Sequence, residues 1–145
     1  MVNLLLPIVL GVAAPGIWRC DELPANAGEL ITDRGWTVIA IDAAQTTNKA
    51  ELLAAIAKAG RFPDYFGHNW DAAADCLIDL SWHDTDGFVF LAYNGGQLAE
   101  RDPAATEILL DVLAEASEWW AARGVSFSTI WEGNLPKGLP ALEQL

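Results

Sequence analysis

The stretch 62-FPDYFGHNWDAAADCLIDL-80 contains a predicted helix that begins at Asn69. With about 3.6 residues per turn, three aspartates fall within one narrow sector of this helix: Asp71, Asp75 and Asp79. The opposite sector is apolar and consists of Trp70, Ala73, Leu77 and Leu80. Like charges four residues apart destabilise a helix by about 0.2–0.5 kcal/mol per pair. A row of carboxylates with no lysine or arginine in the stretch therefore indicates a binding surface.

The segments on both sides of this helix alternate between strands and helices. Apolar, β-branched runs predict buried strands over residues 36–42, 87–93 and 125–131, and residues 16–20 are a further candidate strand. A short helix is predicted within 25–33, and a second helix runs from an N-cap at Asn48, with Glu51 three residues on, to Gly60. Strands separated by helices imply crossover connections. We therefore predict an α/β fold with a small parallel sheet of about three core strands, flanked by helices.

The second half of the chain holds the longest predicted helix. Asn94-Gly95-Gly96 predicts the turn that follows the strand 87–93, and Asp102 and Pro103 fit the N-cap and first position of a helix that ends at Arg123-Gly124. Its core side is predicted to consist of Ile108, Leu109, Val112, Leu113, Ala116 and one of Trp119 and Trp120. Trp36 and Trp131 are also predicted to lie in the core.

The charge of the chain restricts its partners. The 145 residues include 20 acidic and 8 basic side chains, a net charge of −12, and one domain is expected at this length. Such a charge argues against a nucleic-acid-binding surface and against binding to an anionic membrane, and it favours a basic protein partner. Residues 63–100 contain no lysine or arginine. A solvated acidic surface that aids solubility is the alternative interpretation.

The chain has two cysteines, and they are far apart in the sequence. Cys20 and Cys76 form no CxxC pattern and are predicted to be reduced thiols, with Cys76 buried, as in a cytoplasmic protein.

Residues 2–14 are apolar, but they lack a preceding basic residue and are too short to span a bilayer. We predict a buried strand or a packed arm there rather than a signal peptide.

Catalytic motifs are missing from the sequence. It contains no G-x-S-x-G, P-loop or G-x-G-x-x-G motif. Carboxylates that project side by side from one helix suit a cationic surface better than acid/base catalysis across a cleft. We therefore expect no catalytic residue, no cofactor and no metal. A metal-dependent hydrolase remains the alternative, with a divalent cation held by Asp64, His68, Asp71 and Asp75. His83, Asp84 and Asp86 are predicted to form a solvated loop.

The motif Pro63-Asp64-Tyr65-Phe66-Gly67, followed by Asn69, Asp71 and Asp75-Cys76-Leu77, resembles the signature of the barstar family. Members of that family are small intracellular inhibitors of secreted guanyl-specific ribonucleases. The resemblance continues more weakly over residues 36–131, and the predicted order of elements agrees with the family's small parallel sheet. It implies a barstar-like domain at 36–132, an N-terminal extension at 1–35 that packs on the domain, and a C-terminal tail at 133–145.

The resemblance also implies a binding mode. Asp75 is expected where the scissile phosphate of RNA binds to the ribonuclease, with Asp71 beside it, and Tyr65 and Asn69 are expected to contact the rim or the base-recognition loops. Tyr65, Phe66 and Trp82 flank the helix and are candidate interface anchors or core residues. The whole predicted partner-binding set is Tyr65, Phe66, Gly67, His68, Asn69, Asp71, Asp75, Asp79 and Trp82.

The function implied by the resemblance is that of a cytoplasmic bacterial protein, not an enzyme, that forms a 1:1 complex with a basic ribonuclease. An immunity protein against a nuclease toxin is a close variant, and an acidic module for a basic partner that is not a nuclease is the other alternative. Some family members carry further acids near the end of the last helix, where this chain has Trp119, Trp120 and Arg123. His68 and Phe66 are further departures from the family pattern. All of these differences bear on which ribonuclease is the target more than on how it is bound.

Overall fold

The sheet of this protein has four parallel strands. The computed structural model describes residues 16–63, 69–80, 85 and 87–135. The strands are β1 (Ile17–Cys20), β2 (Thr37–Asp42), β3 (Gly87–Tyr93) and β4 (Ser126–Glu132), in the spatial order β1-β4-β3-β2. This arrangement confirms the predicted α/β fold, and the candidate strand at 16–20 forms the edge strand β1.

The described residues contain five α-helices, which lie unequally on the two faces of the sheet, and a short 3-10 helix (Ala43–Gln45) after β2. The α-helices are α1 (Ala27–Thr32), α2 (Lys49–Gly60), α3 (Trp70–Leu77), α4 (Gly95–Arg101) and α5 (Pro103–Ala121). The main core joins one face, including Phe88, Phe90 and Phe127, to apolar side chains of α2 to α5. The other face, including Val89 and Leu91, packs on α1. Alternate residues of β3 thus serve different cores, as the period of a strand requires.

The helices α2 and α5 on the main face begin where the sequence predicts. The Asn48 Oδ1 atom accepts a hydrogen bond from the Glu51 backbone N–H (2.8 Å) at the start of α2. The Glu51 carboxylate in turn accepts one from the Thr47 backbone N–H (2.7 Å). Asp102 caps α5 by accepting from the Ala105 N–H (3.1 Å), with Pro103 at the first position. These caps satisfy donors that a helix start otherwise leaves unpaired.

One helix was not predicted. The sequence predicts an exit turn at Asn94-Gly95-Gly96, but α4 begins at Gly95 directly after an Asn94 in the left-handed conformation (φ 57°). A Cβ atom on Gly95 would lie 2.4 Å from Cε2 of Trp131, so only glycine lets the helix approach this buried indole. Tertiary packing therefore overrides the low helix propensity of glycine.

Two further details of the predictions were wrong. Ile108 was predicted on the core side of α5, but its side chain is 41% exposed. The helix that begins after Asn69 ends at Leu77, so Asp79 lies in the turn beyond it rather than on a third helical turn. The remaining predicted core residues of α5 are buried, and of the two tryptophans it is Trp120 that packs against the main core.

Some predictions lie outside the described residues. They are the buried strand or packed arm at 2–14, the solvated loop with His83, Asp84 and Asp86, and the part of the tail after residue 135. Within the described part of the chain, none of the helices combines the length and the apolar character that crossing a bilayer requires.

Candidate partner-binding site

The acidic helix α3 is a short helix held in place at both ends. At its start, the Asn69 Oδ1 atom accepts a hydrogen bond from the Ala72 N–H (2.8 Å). At its end, the backbone N–H groups of Asp79 and Leu80 both donate to the Cys76 carbonyl (3.1 Å each), and Leu80 adopts φ 44°. A positive φ is uncommon for leucine, and here it turns the chain out of the helix while the Leu80 side chain stays buried.

The inner side of α3 is packed against two other helices. Ala73 and Cys76 join Leu53 of α2 in a small buried cluster. Leu77 and Leu80 belong to the main core, which includes the buried side of α5. The predicted apolar side of the helix is therefore the buried side, and it fixes which residues face solvent.

The outer side of α3 carries the aspartates. Asp71 and Asp75 are exposed and one turn apart, and Asp79 is exposed just beyond the helix end. The described residues contain one ion pair, Arg19–Asp21 (2.6 Å), so neither Asp71 nor Asp75 is neutralised by a described cation. Two unshielded carboxylates on adjacent turns form a compact anionic surface.

The helix dipole stabilises the charge of one of these two carboxylates and destabilises that of the other. Asp71 lies in the first turn, where the partial positive charge of the helix stabilises an acid. Asp75 lies in the last turn, where the partial charge is negative and no basic residue is present. The Asp75 charge is therefore unfavourable within its own helix.

The aspartates of this surface affect the pKa of the buried Cys76 thiol. Burial raises its pKa, and the negative charges of Asp79 and Asp75 raise it further. Cys20, on the other side of the sheet, has a pKa raised to about 11 by burial, with Glu132 adding to the effect. Both cysteines are buried free thiols, as predicted for Cys76.

The end of α3 is bound to α5 by a tryptophan. The Trp120 indole Nε1–H donates a hydrogen bond to the Leu77 carbonyl oxygen (2.8 Å). The Trp120 ring also packs on Phe88, with ring centroids 5.0 Å apart. The sequence predicted Trp119 or Trp120 as a core residue, but no sequence signal indicated that its N–H bonds to the end of the acidic helix.

Three cavities lie against the described residues, and α3 lines none of them. The cavities have volumes of about 110, 480 and 690 Å³ and lie beside α2, α4 and α5 or the edge strand β2. Small-molecule sites are usually concave, whereas exposed side chains on a helix suit a protein partner. Among the described residues, no group of three or more histidine, cysteine or acidic side chains could hold a metal ion.

The predicted site residues divide into two groups. The structure describes Asn69, Asp71, Asp75 and Asp79 and brings Asp71 and Asp75 onto one exposed face. Tyr65, Phe66, Gly67, His68 and Trp82 lie outside the described residues, as does Asp64 of the hydrolase hypothesis. Asn69 serves as the N-cap of α3, and its contact with a partner stays a prediction.

The family of this chain follows from a comparison with known protein families. A family model described as Barstar (barnase inhibitor) matches residues 36–132 of the chain. The chain belongs to the barstar family. Members of this family are inhibitors, not enzymes, so the family-level role is that of a ribonuclease inhibitor. No curated protein matches the chain.

The barstar match covers the site but not the whole sheet. It begins just before β2 and ends with β4, so α3 lies within the matched region. β1 and α1 precede it, yet β1 pairs with β4 and extends the sheet. The barstar region of this protein therefore shares its sheet with residues that the family model does not include.

Proposed function

We propose that this protein inhibits a basic ribonuclease by placing the exposed carboxylates of α3 in the phosphate-binding site of the enzyme. One observation carries the proposal. Asp71 and Asp75 lie exposed on adjacent turns of a helix within the matched barstar region, and no described cation pairs with either. A ribonuclease must present cationic groups to the scissile phosphate, and these carboxylates supply the matching negative charge.

Asp75 is the central contact in this proposal. Its position in the last turn of α3 costs stability in the free protein, and a cationic partner removes that cost. When the two proteins associate, water leaves the interface and each charge depends on its partner. Loss of the Asp75 charge would then leave a buried cation of the ribonuclease uncompensated.

The charge of the whole chain supports a basic partner. With a net charge of −12, the protein attracts a basic ribonuclease over distances comparable to the Debye length, about 10 Å at 0.1 M salt. Association should therefore be fast at low salt and slow down as salt is added. The proposal includes a 1:1 complex, with a secreted ribonuclease or a nuclease toxin as the target, and a cytoplasmic location that fits two buried free thiols.

The test is an inhibition titration against barnase, which the family description names, and a panel of other small basic microbial ribonucleases. Wild type is compared with Asp75→Asn, which removes the charge and keeps the shape. Asp33→Asn is the matched control, because Asp33 is exposed at the end of α1 on the other face of the sheet. We expect stoichiometric inhibition by wild type and by the control, and at least a tenfold weaker complex for Asp75→Asn.

Two results would contradict the proposal, and a third would contradict its electrostatic part. If Asp75→Asn inhibits as well as wild type does, α3 is not the surface that covers the active site. If folded wild-type protein inhibits no ribonuclease of the panel, the function belongs to another basic partner. An association rate that does not change with salt would remove the electrostatic steering argument.

A further inference from the structure

We propose that Trp120 is a positioning residue that fixes the C-terminal end of the acidic helix α3, and with it the direction in which Asp75 is presented. The importance of that direction for inhibition rests on the proposed function. The hydrogen bond itself, from the Trp120 indole to the Leu77 carbonyl oxygen, is a property of the free protein.

The helix α3 needs such support because it is short. It has eight residues, whereas isolated helices of fewer than about 12–15 residues are marginal in water. Its first turn has an N-cap in Asn69 and a favourable acid in Asp71. Its last turn has an unfavourable acid in Asp75 and no basic residue. The C-terminal end is therefore the weak end of the helix.

Trp120 supplies what this end lacks. The last carbonyl groups of a helix have no partners within the helix, and the Leu77 carbonyl receives one from outside, at 2.8 Å from the indole nitrogen. Leu77 lies only two residues after Asp75. A bond at Leu77 therefore holds the turn from which the Asp75 carboxylate projects.

The Trp120 indole is in contact with two other aromatic rings. It packs on Phe88, a buried residue of β3 with a ring centroid 5.0 Å away. The Trp119 ring lies against the indole, with ring centroids 4.9 Å apart and the ring planes at 80°. The Arg123 guanidinium lies over Trp119, 3.5 Å from its ring centroid, and donates to the Trp119 carbonyl oxygen (2.8 Å). The end of α3 is thus connected to the central sheet.

Removal of the indole N–H has a distinct expected consequence. The last turn of α3 should open more often, while the number of charges on the surface does not change. Electrostatic steering depends on those charges, so the association rate should stay close to that of wild type. The less ordered Asp75 should instead appear as faster dissociation.

The experiment uses Trp120→Phe, which keeps an aromatic ring beside Phe88 and removes the N–H group. Trp119→Phe is the matched control, because it keeps an aromatic ring beside Trp120 and removes an indole that makes no hydrogen bond to α3. Amide hydrogen exchange of the free proteins is measured by NMR. One hydrogen bond contributes about 1 kcal/mol, so we expect exchange of the amides near the end of α3 to rise roughly 5–10-fold in Trp120→Phe but not in Trp119→Phe.

The same variants are then tested for dissociation from barnase. We expect Trp120→Phe to dissociate several-fold faster than Trp119→Phe, with equal association rates. Unchanged α3 exchange in Trp120→Phe would overturn the proposal. An equal rise in α3, β3 and α5 would also overturn it, because that pattern is a general loss of stability. If wild type does not inhibit barnase, the exchange result still decides the positioning role, so the two proposals fail separately.

A measurement on the wild-type chain covers the case in which Trp120→Phe does not fold. The Trp120 indole proton should be protected from solvent exchange to the same degree as the last amides of α3, because both are released by the same opening. An indole proton that exchanges at the rate of a free indole would overturn the proposal.

Discussion

At the scale of single residues, Asp71 and Asp75 have the same chemistry and opposite positions relative to the dipole of α3. Removing the Asp75 charge relieves both the repulsion from Asp71, about 0.2–0.5 kcal/mol, and the unfavourable dipole interaction, about 0.3–1 kcal/mol. We therefore predict that Asp75→Asn raises the free energy of unfolding by about 0.5–1.5 kcal/mol while it weakens inhibition. Urea unfolding of the free protein measures the first effect.

Asp71→Asn is the matched comparison for that prediction. It relieves the same repulsion, but it loses an attraction to the positive end of the helix. Its gain in stability should therefore be smaller than that of Asp75→Asn, or negative, and its effect on inhibition should also be smaller. If Asp75→Asn is the less stable of the two variants, Asp75 has a stabilising partner, and its interpretation as a binding residue loses its main physical argument.

At the scale of elements, α4 shows tertiary packing prevailing over local propensity. Alanine normally stabilises a helix interior by up to about 1 kcal/mol relative to glycine. At Gly95 its Cβ atom would lie 2.4 Å from the buried Trp131 ring. At Gly28 in α1 the nearest atom would be Val38 Cγ1, at an ordinary 3.7 Å. We predict that Gly95→Ala lowers the free energy of unfolding by about 1–3 kcal/mol, whereas Gly28→Ala raises it. Thermal unfolding of both variants tests this, and a stable Gly95→Ala protein would mean that Trp131 can move.

The same contrast explains how far the sequence could predict this fold. Apolar and β-branched runs identify β2, β3 and β4 and make β1 a candidate strand, and local caps such as Asn48 and Asp102 identify the starts of α2 and α5, because these signals lie within a few residues of the elements that they define. The start of α4 depends on Trp131, and the end of α3 depends on Trp120. Both tryptophans are distant in sequence from these helices, so no local pattern could indicate their effect. The exposed pair of aspartates was predictable, and the anchor behind it was not.

At the scale of the whole molecule, the residues before the barstar match are part of the same sheet. β1 pairs with β4 over Ile17–Cys20. The Glu132 carboxylate accepts hydrogen bonds from the backbone N–H groups of Leu23 (2.7 Å) and Asn94 (2.8 Å). The Tyr93 hydroxyl donates to the Pro24 carbonyl oxygen (2.8 Å). These bonds tie the connection between β1 and α1 to the ends of β3 and β4, which lie within the match.

These ties predict that the barstar region depends on β1 and α1 for its stability. A chain of residues 36–145 would expose β4 as a sheet edge, which favours association between copies. It would also lose Leu23 and Ile31, which are 5% and 0% exposed. Burial of two such side chains contributes roughly 3–6 kcal/mol, so this chain should unfold roughly 10–20 °C below the full chain. A chain of residues 16–145 is the control, because it keeps both elements. Calorimetry and sedimentation of the two chains decide the point: equal unfolding temperatures, with both chains monomeric, would mean that residues 36–132 form a self-sufficient domain.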